Sequence, residues 1–252
     1  MGCSINTIKF YDSMLCPFIQ KVEYIKATTS TIQKYLNSIP ANRNGLATRH
    51  ASYRAIKTFY RWLNLEYGLN NPMQRMPAPI LGKPIMPALD ENQVKQLIDA
   101  VDNPRDKAII SLFVESGLRL TELSNIKPFD INWEGKCIKV LGKGRKVALA
   151  PFGDSSSAYL SQWLKEHKSE SNIWGIKRSG IALMLRRLQA KTGIICSSHV
   201  FRRTFATLLR KAGVDSLTIK ELGRWNSIQM VERYTRSFSF QDSMKFYKSP
   251  LS

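Results

Sequence analysis

Residues 198–213, Ser-His-Val-Phe-Arg-Arg-Thr-Phe-Ala-Thr-Leu-Leu-Arg-Lys-Ala-Gly, form the stretch on which the reading of the chain turns. They predict a helix over about 198–212 with Ser198 as its N-cap, because a serine at that point can satisfy a free N–H of the first turn. A separation of three residues sets His199 and Arg202 on one face. Helix N-termini attract anions, phosphate among them. A histidine on a helix is usually structural, so this His/Arg pair divides evenly between a packing role and an anion-binding one.

Toward the C-terminus, helices are expected over about 215–223 and 226–236, with a tail helix near 239–247. Toward the N-terminus they are expected over about 154–166 and 178–192. Between Ile131 and Ala150 the β-favouring runs Cys-Ile-Lys-Val-Leu and Lys-Val-Ala-Leu-Ala flank the turn Gly142-Lys143-Gly144-Arg145-Lys146, the pattern of a small antiparallel sheet. Asp90 followed by Gln93 resembles a capping box opening a helix through Ala100, and Asn103-Pro104 opens another that ends at Gly117. Pro72, Pro77, Pro79 and Pro84, with Gly82 among them, interrupt any periodic element and mark a linker. Before it, apolar residues recur at three and four from Ile5 to about Tyr67, so that region reads as helices. The expected fold is mainly α: an N-terminal helical domain over 1–80, a linker over 81–88, and a mainly helical domain with a small antiparallel β-sheet over 89–252.

A hydrophobic content of 43% over 252 residues supports one large packed domain or two ordinary ones. Against 19 acidic residues stand 38 Lys and Arg, a formal charge of +19 that favours a polyanionic partner such as nucleic acid. The excess is spread along the chain, 11 basic to 3 acidic in residues 1–86 and 27 to 16 in the remainder, so folded surfaces carry it rather than a tail. Cys3, Cys16, Cys137 and Cys196 form no CxxC pair, which argues against a zinc site or a disulfide framework and for reduced intracellular thiols. No signal peptide and no run of about 18 apolar residues is present, so neither secretion nor membrane insertion is expected. The start Met-Gly-Cys resembles lipidated termini, but Asn6 stands where a myristoylation signal wants Ser or Thr.

Cleaving a phosphodiester without a metal needs a nucleophile, cationic donors for the non-bridging oxygens and an acid for the leaving oxygen. Four places in the second domain offer such groups. Arg119 follows a glycine turn, with Glu122 three residues on to hold it; taken alone, an ordinary surface ion pair is the better reading. Lys143 stands at the hairpin turn, where a flexible stem can reach into a groove, although solvated turn lysines are common. His199 and Arg202 open their helix. Trp225 precedes Tyr234 by one short helix, and either could be a core aromatic.

The ordered set resembles the tyrosine recombinases, the family of the phage integrases and of the bacterial recombinases that resolve chromosome dimers. The stretches that carry the likeness are Glu-Ser-Gly-Leu-Arg-Leu-Thr-Glu-Leu (115–123), Leu-Gly-Lys-Gly-Arg-Lys-Val-Ala-Leu-Ala-Pro (141–151), residues 198–213, and Glu-Leu-Gly-Arg-Trp-Asn-Ser-Ile-Gln-Met-Val-Glu-Arg-Tyr-Thr (221–235). The resemblance implies a four-helix-like core-binding domain followed by the catalytic domain, with DNA passing between them. Tyr234 is then the nucleophile, Arg119 and Arg202 clamp the scissile phosphate, Lys143 protonates the leaving 5′ oxygen, His199 assists proton transfer and Glu122 supports. Trp225 takes the place of a second histidine; it can donate a hydrogen bond but cannot exchange protons. Arg203 replaces a common histidine and is expected to add a DNA or surface cation. The first residues resemble the middle of the family's first core-binding helix, so no arm-binding domain is expected before them.

By the same resemblance the partner is double-stranded DNA, the assembly a homotetramer on two duplexes passing through a Holliday junction, and no metal, ATP or other cofactor is used. The location implied is cytoplasmic and nucleoid-associated, with no membrane partner. Phe240, Met244 and Tyr247 form an apolar tail stripe expected to dock on a neighbouring protomer or on its own domain. Burial on that stripe would raise the pKa of Tyr247 and leave Tyr234 as the reactive phenol. Alternatives are a type IB topoisomerase-like enzyme, a DNA-binding protein without catalysis, and a metal-dependent nuclease or transposase, the last disfavoured by the lack of an acidic triad with metal spacing. Because both halves are basic, binding to duplex DNA should weaken steeply with salt, log K falling by about 0.9 per neutralised phosphate for each unit of log salt. Fluorescence anisotropy over a salt series measures the slope, and a flat line contradicts the clamp.

Overall fold

The computed structural model describes residues 2–40, 43–80, 87–142, 146–167, 171–236 and 238–249. The chain divides into two compact units, residues 1–84 and 85–252. In the first, the side chains of Ser4 and Thr28 accept from the N–H groups of Thr7 and Thr31 and so start α1 (Ile5–Lys21) and α2 (Thr29–Ser38). The third helix, α3, spans Arg43–Tyr67. Each turns one stripe inward, and Phe18, Ile32, Leu36, Tyr53, Ile56 and Tyr60 close on a core with Met73 and Met76. Two of the core phenols are paired: Tyr60 donates to the Tyr24 carbonyl at 2.9 Å and Tyr53 to that of Met76 at 2.6 Å. Among the described residues this unit has three helices, not a four-helix-like set; its proline-bearing segment 68–80 contains none.

The second unit opens with α4 (Glu91–Asp99), whose capping box pairs Asp90 with Gln93, and α5 (Pro104–Ser116), capped by Asn103 and closed by Gly117. After α6 (Leu120–Ser124) and a 3-10 turn at Pro128–Asp130 come β1 (Ile131–Asn132), β2 (Cys137–Leu141) and β3 (Val147–Pro151). They form one antiparallel sheet in the order β1-β2-β3, with Ile131 opposite Ile138 and Lys139 opposite Leu149. Ile138 and Val140 are buried while Lys139 and Leu141 are exposed, the alternation of a sheet with one face covered. Helices α7 (Asp154–Glu166), α8 (Arg178–Thr192), α9 (Ser198–Lys211), α10 (Ser216–Leu222), α11 (Ile228–Tyr234) and α12 (Phe240–Met244) complete it.

Helix α5 is enclosed along its middle: Ala108, Ile109, Ile110, Leu112 and Phe113 are fully buried where it packs on α7 and α9. Glu115, at its end, accepts from the N–H groups of Gly153 (2.8 Å) and Ser156 (3.1 Å), placing a negative charge on the positive end of α7. The indole N–H of Trp174 donates to Leu123 and that of Trp163 to Ile173, both at 2.6 Å. No helix among the described residues is long and apolar enough to cross a membrane.

Three expectations need correction. The N-cap of α9 is Ser197, not Ser198, because Ser197 holds the extended backbone that lets its hydroxyl accept from the Val200 N–H at 3.3 Å. Helix α11 is shorter at both ends than expected, and the tail helix stops at Met244. The one-turn α6 was not anticipated.

The rings of Phe113 and Phe201 stack at 5.5 Å, nearly parallel and fully buried, and join α5 to α9. Phe201→Ala should therefore cost about 3–5 kcal/mol, against a few tenths for truncation of Leu149. Leu149 is 59% exposed. The urea midpoint of the second unit's transition measures both, and equal shifts would contradict the packing.

Candidate active site

Two tight turns, far apart in sequence, form the site. The first follows α5. Gly117 adopts φ 56°, and a Cβ there would stand 2.6 Å from a ring carbon of Phe205, so glycine is needed both for the left-handed backbone and for the approach of α9. The chain then presents Arg119 and enters α6, whose Glu122 reaches back to accept the Arg119 backbone N–H at 2.9 Å. A guanidinium nitrogen of Arg119 also donates to Glu122. The carboxylate is only 2% exposed, whereas Arg119 is partly open to solvent.

The second turn, Gly223-Arg224-Trp225, joins α10 to α11. A Cβ on Gly223 would lie 1.9 Å from the Trp225 ring, so the indole packs directly on backbone. Helix α9 crosses between the two turns and carries Arg202, which is 4% exposed and donates to the carbonyls of Gly117 and Gly223. Its guanidinium carbon stands 4.4 Å from the centroid of the Trp225 ring. The Tyr234 ring meets that indole edge-on, with centroids 5.6 Å apart. Arg202 and Tyr234 thus both contact Trp225.

Electrostatics follow from this crowding. Burial, aided by the neighbouring cations Arg119 and Arg224, pushes Arg202 down to about 9, with Glu122 and Tyr234 acting the other way. It stays charged at neutral pH. Burial alone would raise Glu122, but hydrogen bonds from the Arg119 backbone and side chain and the charges of Arg224 and Arg119 hold it below the usual carboxylate range. The indole N–H of Trp225 is buried with no hydrogen-bond partner among the described residues.

Of the residues singled out in the sequence, Arg119, Glu122, Arg202, Trp225 and Tyr234 come together. His199 lies in the first turn of α9, exposed, three residues before Arg202. Lys143 falls outside the described residues; the strands its turn joins are ordered as expected, and the Gly142 N–H donates to Lys146 at 2.8 Å. Arg203 is half-buried and donates to the Pro87 carbonyl at 3.1 Å, so it acts as a tie to backbone rather than as a free surface cation. Tyr247 is 62% exposed while Tyr234 is half-buried, so the expected burial of Tyr247, which was to leave Tyr234 as the reactive phenol, is not found. The stripe Phe240, Met244 and Tyr247 stays exposed, while Phe246 beside it packs on Gly213 of the same unit. No role for Arg224 follows from the sequence, yet it is only 8% exposed and 3.6 Å from Glu122.

The profile of the phage integrase family matches residues 87–239. Tyrosine recombinase XerA of Saccharolobus solfataricus is 28% identical over 250 residues, covering 93% of this chain and 83% of the relative. Tyrosine recombinase XerC of Shewanella sp. strain ANA-3 is 30% identical over 226 residues, covering 82% and 75%. In fold, the chain is similar to lambda integrase (75-356), solved as a dimer bound to a COC′ core site, with a TM-score of 0.79, 17% identity and coverage of 93% and 89%.

Because the pKa of Glu122 is depressed in the folded state, the stability from its ion pairs is fully present above the ordinary carboxylate range and is lost as pH falls through the folded value. Glu122→Ala leaves Arg224 buried without its carboxylate and should cost about 3–5 kcal/mol at neutral pH. Thermal melts should then show a lower Tm at neutral pH and a shallower acid-side decline than in the unaltered protein. Parallel declines would contradict the assignment.

Proposed function

The chain belongs to the phage integrase family, the tyrosine-type site-specific DNA recombinases, and on that premise we propose that it cleaves and rejoins DNA through a 3′-phosphotyrosyl bond to Tyr234, without metal or ATP. The observation that carries this is that one indole, Trp225, meets both a buried arginine, Arg202, and the tyrosine, Tyr234. It brings a cation and a nucleophile to one place.

The Tyr234 oxygen attacks phosphorus, the bond to the 5′ oxygen breaks, and that oxygen leaves as a hydroxyl carrying a proton from Lys143. Attack by the 5′-hydroxyl of a partner strand reverses the step, with the phosphodiester energy kept in the tyrosyl ester. Arg202 and Arg119 bind the non-bridging oxygens, since a guanidinium has more N–H donors than the carbonyls and carboxylate engaged here use. Charge on those oxygens grows as the tyrosine bonds, which is where fixed cations lower the barrier. The unpartnered Trp225 N–H adds one neutral donor to the same phosphate. His199, three residues before the buried cation in the first turn of α9, serves the proton of the phenol, whose ordinary pKa near 10 needs such help.

In this scheme residues 1–80 form the core DNA-binding domain and 89–252 the catalytic domain, and four protomers hold two duplexes through a Holliday junction. The exposed stripe Phe240, Met244 and Tyr247 supports docking on a neighbouring protomer in that assembly. Tyr234→Phe removes one oxygen, so folding and DNA affinity should persist while covalent capture on a nicked duplex in EDTA is abolished. Tyr247→Phe should be captured normally. A denaturing gel reads both; capture of the Tyr234→Phe protein, or a strict need for magnesium, overturns the mechanism.

A further inference from the structure

Arg224 is held by more of the site than any residue given a role above. Its guanidinium donates to the carbonyls of Leu222 at 2.7 Å, Ser116 at 3.0 Å and Leu149 at 3.5 Å, and lies 3.6 Å from Glu122. Its own carbonyl accepts from Arg119 at 3.4 Å. These contacts join the end of α5, the end of α10, strand β3 and the carboxylate that aims Arg119. The backbone of Arg224 is left-handed at φ 55°, a conformation that suits glycine and strains most side chains. A strained arginine persists there because its side chain is bound on several sides.

We infer that Arg224 is a positioning residue for strand transfer: it fastens the turn carrying Trp225 to the turn carrying Arg119 and gives Glu122 its second cation. This rests on the mechanism proposed above. Arg119 engages one carboxylate oxygen of Glu122 through its side chain and the other through its backbone N–H, and Arg224 stands beside that second oxygen. Without Arg224 the carboxyl is protonated more readily, and a protonated Glu122 no longer fixes Arg119. The other charged groups near it are Arg119 at the start of α6, Arg202 from α9, and Lys127, Asp130 and Lys139, which line the same groove. Tyr234 acts on Arg202, and His199 stands three residues before it on α9. All are unchanged in variants of Arg224, so a shift confined to those variants belongs to it.

Two substitutions separate charge from fastening. Arg224→Gly removes the side chain and relaxes the left-handed backbone; Arg224→Lys keeps a cation near Glu122 but cannot reach three carbonyls and a carboxylate together. The probe is a nicked duplex drawn from a randomised-core pool by covalent capture with the unaltered protein. Single-turnover capture is then followed from acid to alkaline pH, beside thermal melts and DNA anisotropy. Arg224→Gly should melt near the unaltered protein and bind DNA within about twofold, yet be captured at least about tenfold more slowly, with its acid limb moved toward neutral pH. Arg224→Lys should restore the position of that limb but not the rate. Unchanged capture by Arg224→Gly, a fall equal at every pH, or full rescue by lysine overturns the inference. Should the glycine variant melt far lower, the limb and rate of the lysine variant decide it by the same criteria. No capture of the unaltered protein sinks the strand-transfer mechanism itself, whereas normal capture of both it and Arg224→Gly sinks only this role.

Discussion

Three guanidinium groups, Arg119, Arg202 and Arg224, share one buried carboxylate, Glu122, and the second unit is arranged around holding that imbalance. Like charges about 4 Å apart repel by roughly 4 kcal/mol at the effective dielectric of a protein interior. What offsets the repulsion is backbone. Ser116 and Gly117 close α5, and Leu222 and Gly223 close α10, and the carbonyls of all four accept from Arg202 or Arg224. Helix C-termini carry unpaired carbonyls and a negative partial charge, so two helix ends aimed at the cluster supply both hydrogen-bond acceptors and favourable field. Local geometry follows: Gly117 must turn left-handed to expose its carbonyl, and the Phe205 ring fills the space that a side chain on it would need.

The four groups together keep an excess of two positive charges, and Trp225, with Tyr234 against it, packs on one of them. A phosphate diester carries the complementary charge without being a strong base, so it can be gripped without being protonated. The indole adds bulk that keeps water off Arg202 on one face, which strengthens the remaining interactions of that cation. A histidine in its place would bring a titratable group within the same crowd of cations.

Much of this was legible in the sequence, for stated reasons. Long elements such as α3, α5, α7 and α8 announce themselves through periodicity, caps and the Gly117 stop, and the strand pair through its β-favouring runs. Arg119 and Glu122 were linked by their spacing of three, as were His199 and Arg202. What escaped has physical causes. Five residues of α6 are too few to display a period, and two adjacent serines are equivalent caps until backbone angles choose Ser197. The tail stripe looked buried because periodicity reports amphipathicity and says nothing about what covers it. Arg224 was illegible because its partners Ser116 and Leu149 are brought to it only by tertiary folding, and nothing in an arginine between Gly223 and Trp225 signals a left-handed backbone.

Tyr234 does not belong to the main core. It packs at the edge of a small separate cluster, Phe205, Ala206, Ile219, Trp225 and Val231, and of the residues of α11 only Val231 is fully buried. Undocking α11 therefore forfeits little apolar burial, at about 25 cal/mol per Å² exposed, while the α5 core stays intact. Such a segment opens at a free energy well below that of global unfolding. Arrival of the phenol beside the arginines is in that case an equilibrium between docked and undocked α11, and whatever binds the docked form raises the fraction of competent molecules without altering a single contact of the clamp.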